Sequence, residues 1–235
     1  MTVFTATPRL DLPLTRRKGQ DGRVRILRVG DHAVLLELAD GDEVDAWRAE
    51  LMRRRAAGEL RAIEIVPGAR TVLLDGVTDV AATAALVGGW GPPPAAAPAS
   101  GDLIDIPVEY DGEDLADVAT AWGTDEAGVI ERLSGTELRV AFCGFSPGWG
   151  YLTGLPPELA MPRLDTPRQR VPAGSVALGG EYVGIYPTAS PGGWRLVGHT
   201  DVTLFDVTAD PPALLTPGKR VRLVARVPAP VEVGA

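Results

Sequence analysis

Apolar residues alternate with polar ones at Val24 and Ile26, and again at Val34, Leu36 and Leu38, which predicts two strands joined by a turn at Gly30-Asp31. The period then lengthens. Val44, Trp47 and Leu51 fall at i, i+3 and i+7 on one helical face, with Asp42 as the expected N-cap. Glu43 and Asp45 lie in the first turn, Arg53, Arg54 and Arg55 in the last, and Gly58 closes the helix. The three arginines are read as a solvated helix end rather than an anion site. Two strands near 61–66 and 70–75 and a short helix from Asp79 complete an α+β unit, for which helices on one face of an antiparallel sheet give a small ferredoxin-like sandwich.

From Gly88 to Gly101 the chain runs Gly-Gly-Trp-Gly-Pro-Pro-Pro-Ala-Ala-Ala-Pro-Ala-Ser-Gly, which fits neither a helix interior nor a paired strand. The expected division is a flexible tail over 1–20, the α+β domain over 21–88, a linker over 89–101 and a second domain over 102–228. In the second domain Ile104, Ile106 and Val108 alternate as a strand. One short helix then shows Leu115, Val118, Ala119 and Trp122 on one face, and another starts at Thr124, buries Val129, Ile130 and Leu133 and ends at Gly135. Leu138, Val140 and Phe142 alternate toward one side with Cys143 opposite, and later strands are expected near 175–179, 182–186, 194–198, 202–206 and 220–225. Short strands parted by Gly/Pro turns predict a closed or nearly closed barrel.

Composition narrows the function. The chain has 235 residues, 45% of them hydrophobic, enough for a sizeable core. Its 23 Lys+Arg against 31 Asp+Glu leave a net charge of -8, which argues against nucleic acid and anionic membrane as partners. A single cysteine, Cys143, excludes an intrachain disulfide framework and fits a reducing compartment, and two histidines make a structural zinc site a poor reading. With no apolar run near bilayer length and no secretory pattern before Arg16, Arg17 and Lys18, a cytoplasmic protein is expected.

The chemistry concentrates between Phe142 and Asp206, where glycine- and proline-rich turns alternate with Arg, Ser, Tyr, Trp and His. Gly144-Phe-Ser-Pro-Gly148 has the spacing of a nucleophile elbow. Pro147 nevertheless occupies the position whose N–H would face an oxyanion, so Ser146 is read as a turn residue. Arg163, Arg168 and Arg170 place three guanidinium groups within eight residues of an acidic chain, suited to carboxylate or phosphate or, equally, to surface ion pairs. Ser190-Pro-Gly-Gly-Trp194 can present backbone N–H groups to an anion or turn a hairpin over a packed Trp194. Tyr151 and Tyr186 can hydrogen-bond a ligand, His199 can titrate near neutrality, and Cys143 is taken as an inert thiol.

Taken together, Gly-Phe-Ser-Pro-Gly-Trp-Gly-Tyr-Leu, Pro-Arg at 162–163 and 167–168, Val-Pro-Ala-Gly-Ser-Val, Gly-Ile-Tyr-Pro, Ser-Pro-Gly-Gly-Trp, Leu-Phe-Asp at 204–206 and Leu-Leu-Thr-Pro-Gly at 214–218 resemble one family over roughly 22–226. It is the B component of the bacterial 5-oxoprolinase complex, also called allophanate hydrolase subunit 1 and including the kinase inhibitor KipI. The resemblance implies a cyclophilin-like C-terminal barrel. It also implies a partner of the allophanate-hydrolase-subunit-2 type, the C component of 5-oxoprolinase, and an A component of the LamB/YcsF type. ATP, with Mg2+, would be used by the assembled complex rather than held by this chain alone. The activity implied is the opening of 5-oxoproline to glutamate, in which phosphorylation of the lactam oxygen overcomes amide resonance. Inhibition of a sensor histidine kinase and half of a biotin-dependent, urea-type carboxyltransferase are the alternatives. The chain departs from the family pattern, which usually has Arg at position 199, Pro at 201 and Gly-Phe-Pro-Tyr-Leu at the end of the first motif.

The expected site takes His199, Arg168 and Tyr186 as catalytic. Arg163, Arg170, Ser175, Ser190, Gly192, Gly193, Trp194, Pro147, Gly148 and Tyr151 are expected to hold substrate or an anion, and no metal ligand is expected.

Overall fold

The computed structural model describes residues 24–95 and 103–226. The expected tail over 1–20 and the linker from 96 to 101 lie outside the described residues. Strands β1 (Arg25–Val29) and β2 (Ala33–Glu37) form the first hairpin. Its turn uses Gly30 at φ +57, a left-handed conformation that glycine adopts without steric cost. Helix α1 (Gly41–Ala56) follows, and its N-cap is Asp40 rather than Asp42. The Asp40 carboxylate accepts the Glu43 N–H at 3.0 Å and the Glu43 carboxylate reaches back to the Ala39 N–H at 2.9 Å. That reciprocal pairing needs an acceptor three residues before Glu43, which leaves Asp42 inside the first turn.

Strands β3 (Glu64–Pro67) and β4 (Thr71–Asp75) and helix α2 (Val80–Gly88), capped by Asp79, complete this unit. The sheet order is β1-β2-β4-β3 with every neighbouring pair antiparallel. Val34, Leu36, Val72 and Leu74 share one core with Val44, Trp47 and Leu51 of α1 and Val80 and Val87 of α2. The layers are those of the expected sandwich. The connectivity is a hairpin and a helix, repeated, instead of the split β-α-β path of a ferredoxin-like chain.

Beyond residue 103 the elements are β5 (Leu103–Val108), α3 (Leu115–Ala121), α4 (Glu126–Gly135), β6 (Leu138–Cys143), β7 (Gly150–Thr153), β8 (Arg168–Val171), β9 (Ser175–Gly179), β10 (Tyr182–Ile185), β11 (Ser190–Gly192), β12 (Arg195–His199) and β13 (Arg220–Ala225). The cap of α4 is Asp125, which accepts the Gly128 N–H at 2.8 Å, one residue after the expected Thr124. Seven strands form one sheet in the order β12-β9-β10-β7-β6-β13-β5, and β8 pairs separately with β11. The two edges of the large sheet meet. Glu109, just past β5, exchanges both backbone hydrogen bonds with His199 at the end of β12, at 2.9 and 2.8 Å. The result is a nearly closed barrel around Ile106, Val140, Leu152, Val176, Leu178, Val183, Val197 and Leu223. Gly198 is required at this seam, since a Cβ there would lie 2.3 Å from the Glu109 carbonyl oxygen.

Two expectations in the barrel are corrected. Residues 202–206 are not a strand: only Phe205 bridges Ala213, and Pro211 and Pro212 opposite have no N–H with which to extend the ladder. Phe142 does not continue the Leu138/Val140 face, because the β6–β7 register shifts between Val140 and Phe142. A bulge of this kind reverses which side chains face inward. Cys143 therefore packs against the barrel core, while Phe142 stacks on Tyr151 at a ring separation of 4.3 Å. The short strands β7, β8 and β11 fall within the turn-rich block and carry no legible alternation.

Candidate functional site

Outside the main barrel core lies a second buried cluster rich in aromatic rings. Trp149, Tyr186 and Trp194 join Val171, Ala177 and Leu196, and Tyr151 and Tyr182 pack against them. Trp149 is the hub. It meets Phe145, Tyr151, Tyr186 and Trp194 edge-on at ring separations of 5.1, 5.8, 4.7 and 5.1 Å, the geometry aromatic quadrupoles favour. Gly184 of β10 makes this possible, because a Cβ there would stand 2.5 Å from the Trp149 ring.

The cluster opens into a cavity of about 270 Å³ lined by Phe145, Trp149, Tyr151, Arg163, Pro167, Tyr186, Pro191, Gly192, Gly193 and Trp194. The volume lies just below the usual range for small-molecule sites, roughly 300–1,000 Å³, and suits a small ring rather than an extended ligand. Phe145 overhangs it with φ 63, is 60% exposed, and is the only non-glycine residue at positive φ among the described residues. A bulky residue held in that conformation carries strain of roughly 1–3 kcal/mol, a feature concentrated at functional sites. Three buried polar atoms without a hydrogen-bond partner lie in these segments of the chain: the Trp149 indole nitrogen and the hydroxyls of Ser146 and Ser190. Trp149 lines the cavity itself, and each serine adjoins a lining residue in the chain.

Of the expected site residues, the fold brings Tyr151, Arg163, Tyr186, Gly192, Gly193 and Trp194 to this cavity. Ser190 stands in the adjoining strand β11. Pro147 and Gly148 form the turn between Phe145 and Trp149, where Gly148, at φ +84, lies against Phe205. Burial raises the Tyr186 phenol above its ordinary value, more than the Trp194 backbone and the nearby Arg163 and Arg168 lower it. Near neutral pH it is therefore a hydroxyl donor.

Arg168 and His199 stand elsewhere. The Arg168 guanidinium grips the buried Asp114 carboxylate at 2.9 Å to each oxygen and Glu113 at 2.6 Å, and it donates to the Trp194 carbonyl at 3.3 Å. Arg195 pairs with Asp117 at 3.2 Å, and Arg170 is exposed on β8. The three arginines of the 163–170 stretch do not form one anion trap: Arg163 lines the cavity, Arg168 is held by the carboxylates that open α3, and Arg170 is exposed. His199 sits at the barrel seam with Nδ1 2.8 Å from Asp111 and Nε2 3.8 Å from Glu109, opposite Ser175 in the β9–β12 register. Ser146 Oγ has no partner, so no serine–histidine pair forms. Cys143 donates to the Leu215 carbonyl at 3.3 Å, and burial raises its thiol pKa against the opposing influence of Arg48, in keeping with an inert thiol.

The His199 pKa is raised, chiefly by its hydrogen bond to Asp111 and against a smaller opposing effect of burial, with Glu109 and Asp201 adding to the rise. A pKa higher in the folded than the unfolded state stabilises the fold fully below the ordinary imidazole value of about 6.5 and loses that contribution as pH rises through the folded value. The ring is 39% exposed, so solvent screening keeps the contribution under about 1 kcal/mol. His199→Gln is expected to remove this fall in denaturation midpoint above about pH 6.5. An unaltered pH dependence in the variant would assign it to other groups.

Phe145, Trp149, Pro167 and Pro191 line the cavity although they were not among the expected site residues, and Asp114 was not connected with Arg168. Their signal was present in part, since Trp149 and Phe145 flank Ser146 within the same glycine-rich motif.

Residues 24–215 match the family model for the carboxyltransferase domain, subdomain C and D. The chain is 41% identical over 213 residues to the B subunit of 5-oxoprolinase from Escherichia coli O157:H7, covering 86% of this chain and 96% of that one. The crystal structure of TTHA0988 superposes with a TM-score of 0.69 at 32% identity over 84% of this chain, which spans only 41% of that longer protein. The Kluyveromyces lactis urea amidolyase structure matches 87% of this chain and 15% of its own length, with a TM-score of 0.61 and 20% identity, a likeness of fold alone.

Proposed function

Because the chain belongs to the carboxyltransferase subdomain C and D family, among its 5-oxoprolinase B subunits, we propose that it is the non-autonomous B component of an ATP-dependent 5-oxoprolinase. The reaction is 5-oxoproline, ATP and water to glutamate, ADP and phosphate. The observation that carries this reading is the 41% identity along almost the whole length of a 5-oxoprolinase B subunit.

The cavity chemistry supports it. A small, aromatic-walled space with one cation suits a compact lactam bearing one negative charge. No carboxylate, imidazole or thiol lines it, so the cavity as described offers no general base of its own. Amide resonance makes the lactam carbon a poor electrophile, and phosphoryl transfer to its oxygen is the activation that ATP supplies. A chain with these walls binds and orients the ring, and the remaining groups come from partners of the allophanate-hydrolase-subunit-2 and LamB/YcsF types. ATP, with its Mg2+, is assigned to the assembled complex. No helix among the described residues is long and apolar enough to cross a membrane.

The test is 5-oxoproline-dependent ADP release from the three reconstituted components, each omitted in turn. Release that stops when this chain is left out is the expected result. A complex that assembles yet releases no ADP on 5-oxoproline would remove the assignment.

A further inference from the structure

We propose that Arg163 is the specificity-determining residue that reads the carboxylate of the substrate, with the lactam ring lying against the aromatic walls. This rests on the reading of the chain as a component of 5-oxoprolinase. 5-Oxoproline differs from the unsubstituted lactam 2-pyrrolidinone by one carboxylate, so selecting it requires one correctly placed cation beside a flat apolar surface.

Arg163 is the one charged side chain lining the cavity. Its guanidinium carbon lies 5.8 Å from the centre of the Trp194 ring, within cation–π range. Among the described residues it forms no ion pair, whereas its neighbours Arg168 and Arg195 are held by Asp114, Glu113 and Asp117. Arg168 and Arg195 are thus committed to carboxylates, Arg170 is exposed on β8 outside the cavity lining, and the Arg163 fork, the geometry that matches a carboxylate bidentately, is open at the cavity.

The backbone that carries it is fixed on both sides. Met161 and Gly180 exchange two hydrogen bonds at 2.9 and 2.7 Å, and the Leu164 N–H donates to the Gly193 carbonyl at 2.7 Å. The Cα of Arg163 therefore starts from a defined position at the cavity rim.

The test uses the assembled three-component complex with Arg163→Gln and Arg163→Lys, measuring KM and kcat for 5-oxoproline, 2-pyrrolidinone and ATP by ADP release. Arg163→Gln is expected to raise KM for 5-oxoproline roughly ten- to a hundredfold with little change in kcat, the signature of a lost charge-assisted contact made equally in ground and transition states. Arg163→Lys should recover part of that loss, and the kinetics with 2-pyrrolidinone, which has no carboxylate, should be unaffected by either change. An unchanged KM for 5-oxoproline in a working complex would overturn the role of Arg163 and leave the function standing. A rise in KM for ATP alone would overturn it too, assigning the cation to phosphate. Failure of the unaltered complex to use 5-oxoproline would instead remove the functional reading and this inference together.

Discussion

Arg168→Met is expected to cost about 3–5 kcal/mol of stability, because it strands a buried carboxylate. Asp114 is 5% exposed and opens α3, where it accepts both bonds from Arg168 and also the Leu196 N–H at 2.6 Å. One ion pair therefore ties β8, α3 and β12 together beside the barrel seam. Burial opposes the charge on Arg168, but Asp114 and Glu113 outweigh it and raise its pKa further. At this chain length the loss corresponds to a fall in Tm of roughly 6–20 °C. The double variant Asp114→Asn/Arg168→Met should recover much of it, since the stranded charge is then gone. A single variant that melts with the unaltered protein would show that the pair does not hold the fold. Loss of activity in Arg168→Met accordingly reports the fold before it reports chemistry.

Trp149→Ala carries the other large effect, about 3–5 kcal/mol, the ordinary cost of deleting a large buried aromatic. The indole touches four other rings and lies over Gly184, so its removal leaves a space bounded by those side chains. Trp149→Phe should cost much less, because it keeps a ring in place and removes the indole N–H that has no partner. Denaturant midpoints separate the two. Equal losses in both variants would mean that the wall depends on the full indole rather than on filling the space.

Much of the fold was legible because burial in each half follows one period at a time. Leu36, Val72 and Leu74 alternate in strands and Val44, Trp47 and Leu51 recur along α1, so the first sheet and its helix emerge from spacing alone. The bulge after Val140 was not legible. It depends on how β6 meets β7, and it reversed the sides assigned to Phe142 and Cys143. The strands β7, β8 and β11 are three or four residues long, too short for alternation to be seen among glycines and prolines.

The site divided in the same way. The motif block was found from composition and held Tyr151, Arg163, Tyr186, Gly192, Gly193 and Trp194, which line the cavity. Which arginine remained open depended on carboxylates distant in sequence. Asp114 lies 54 residues from Arg168, and no local pattern announces that pairing. His199 sits in the same block for a different physical reason, since its backbone closes the barrel against Glu109.

The central claim, that the substrate ring occupies the aromatic cavity of this chain, is tested most directly by fluorine NMR of the assembled complex with fluorotryptophan incorporated into this chain alone. The chain has five tryptophans, and only Trp149 and Trp194 line the cavity, while Trp47, Trp90 and Trp122 lie in or against the other two cores. Addition of 5-oxoproline should shift the Trp149 and Trp194 resonances saturably, at concentrations that track KM, and leave the other three in place. A complex that turns over 5-oxoproline while those two resonances stay still would contradict the account.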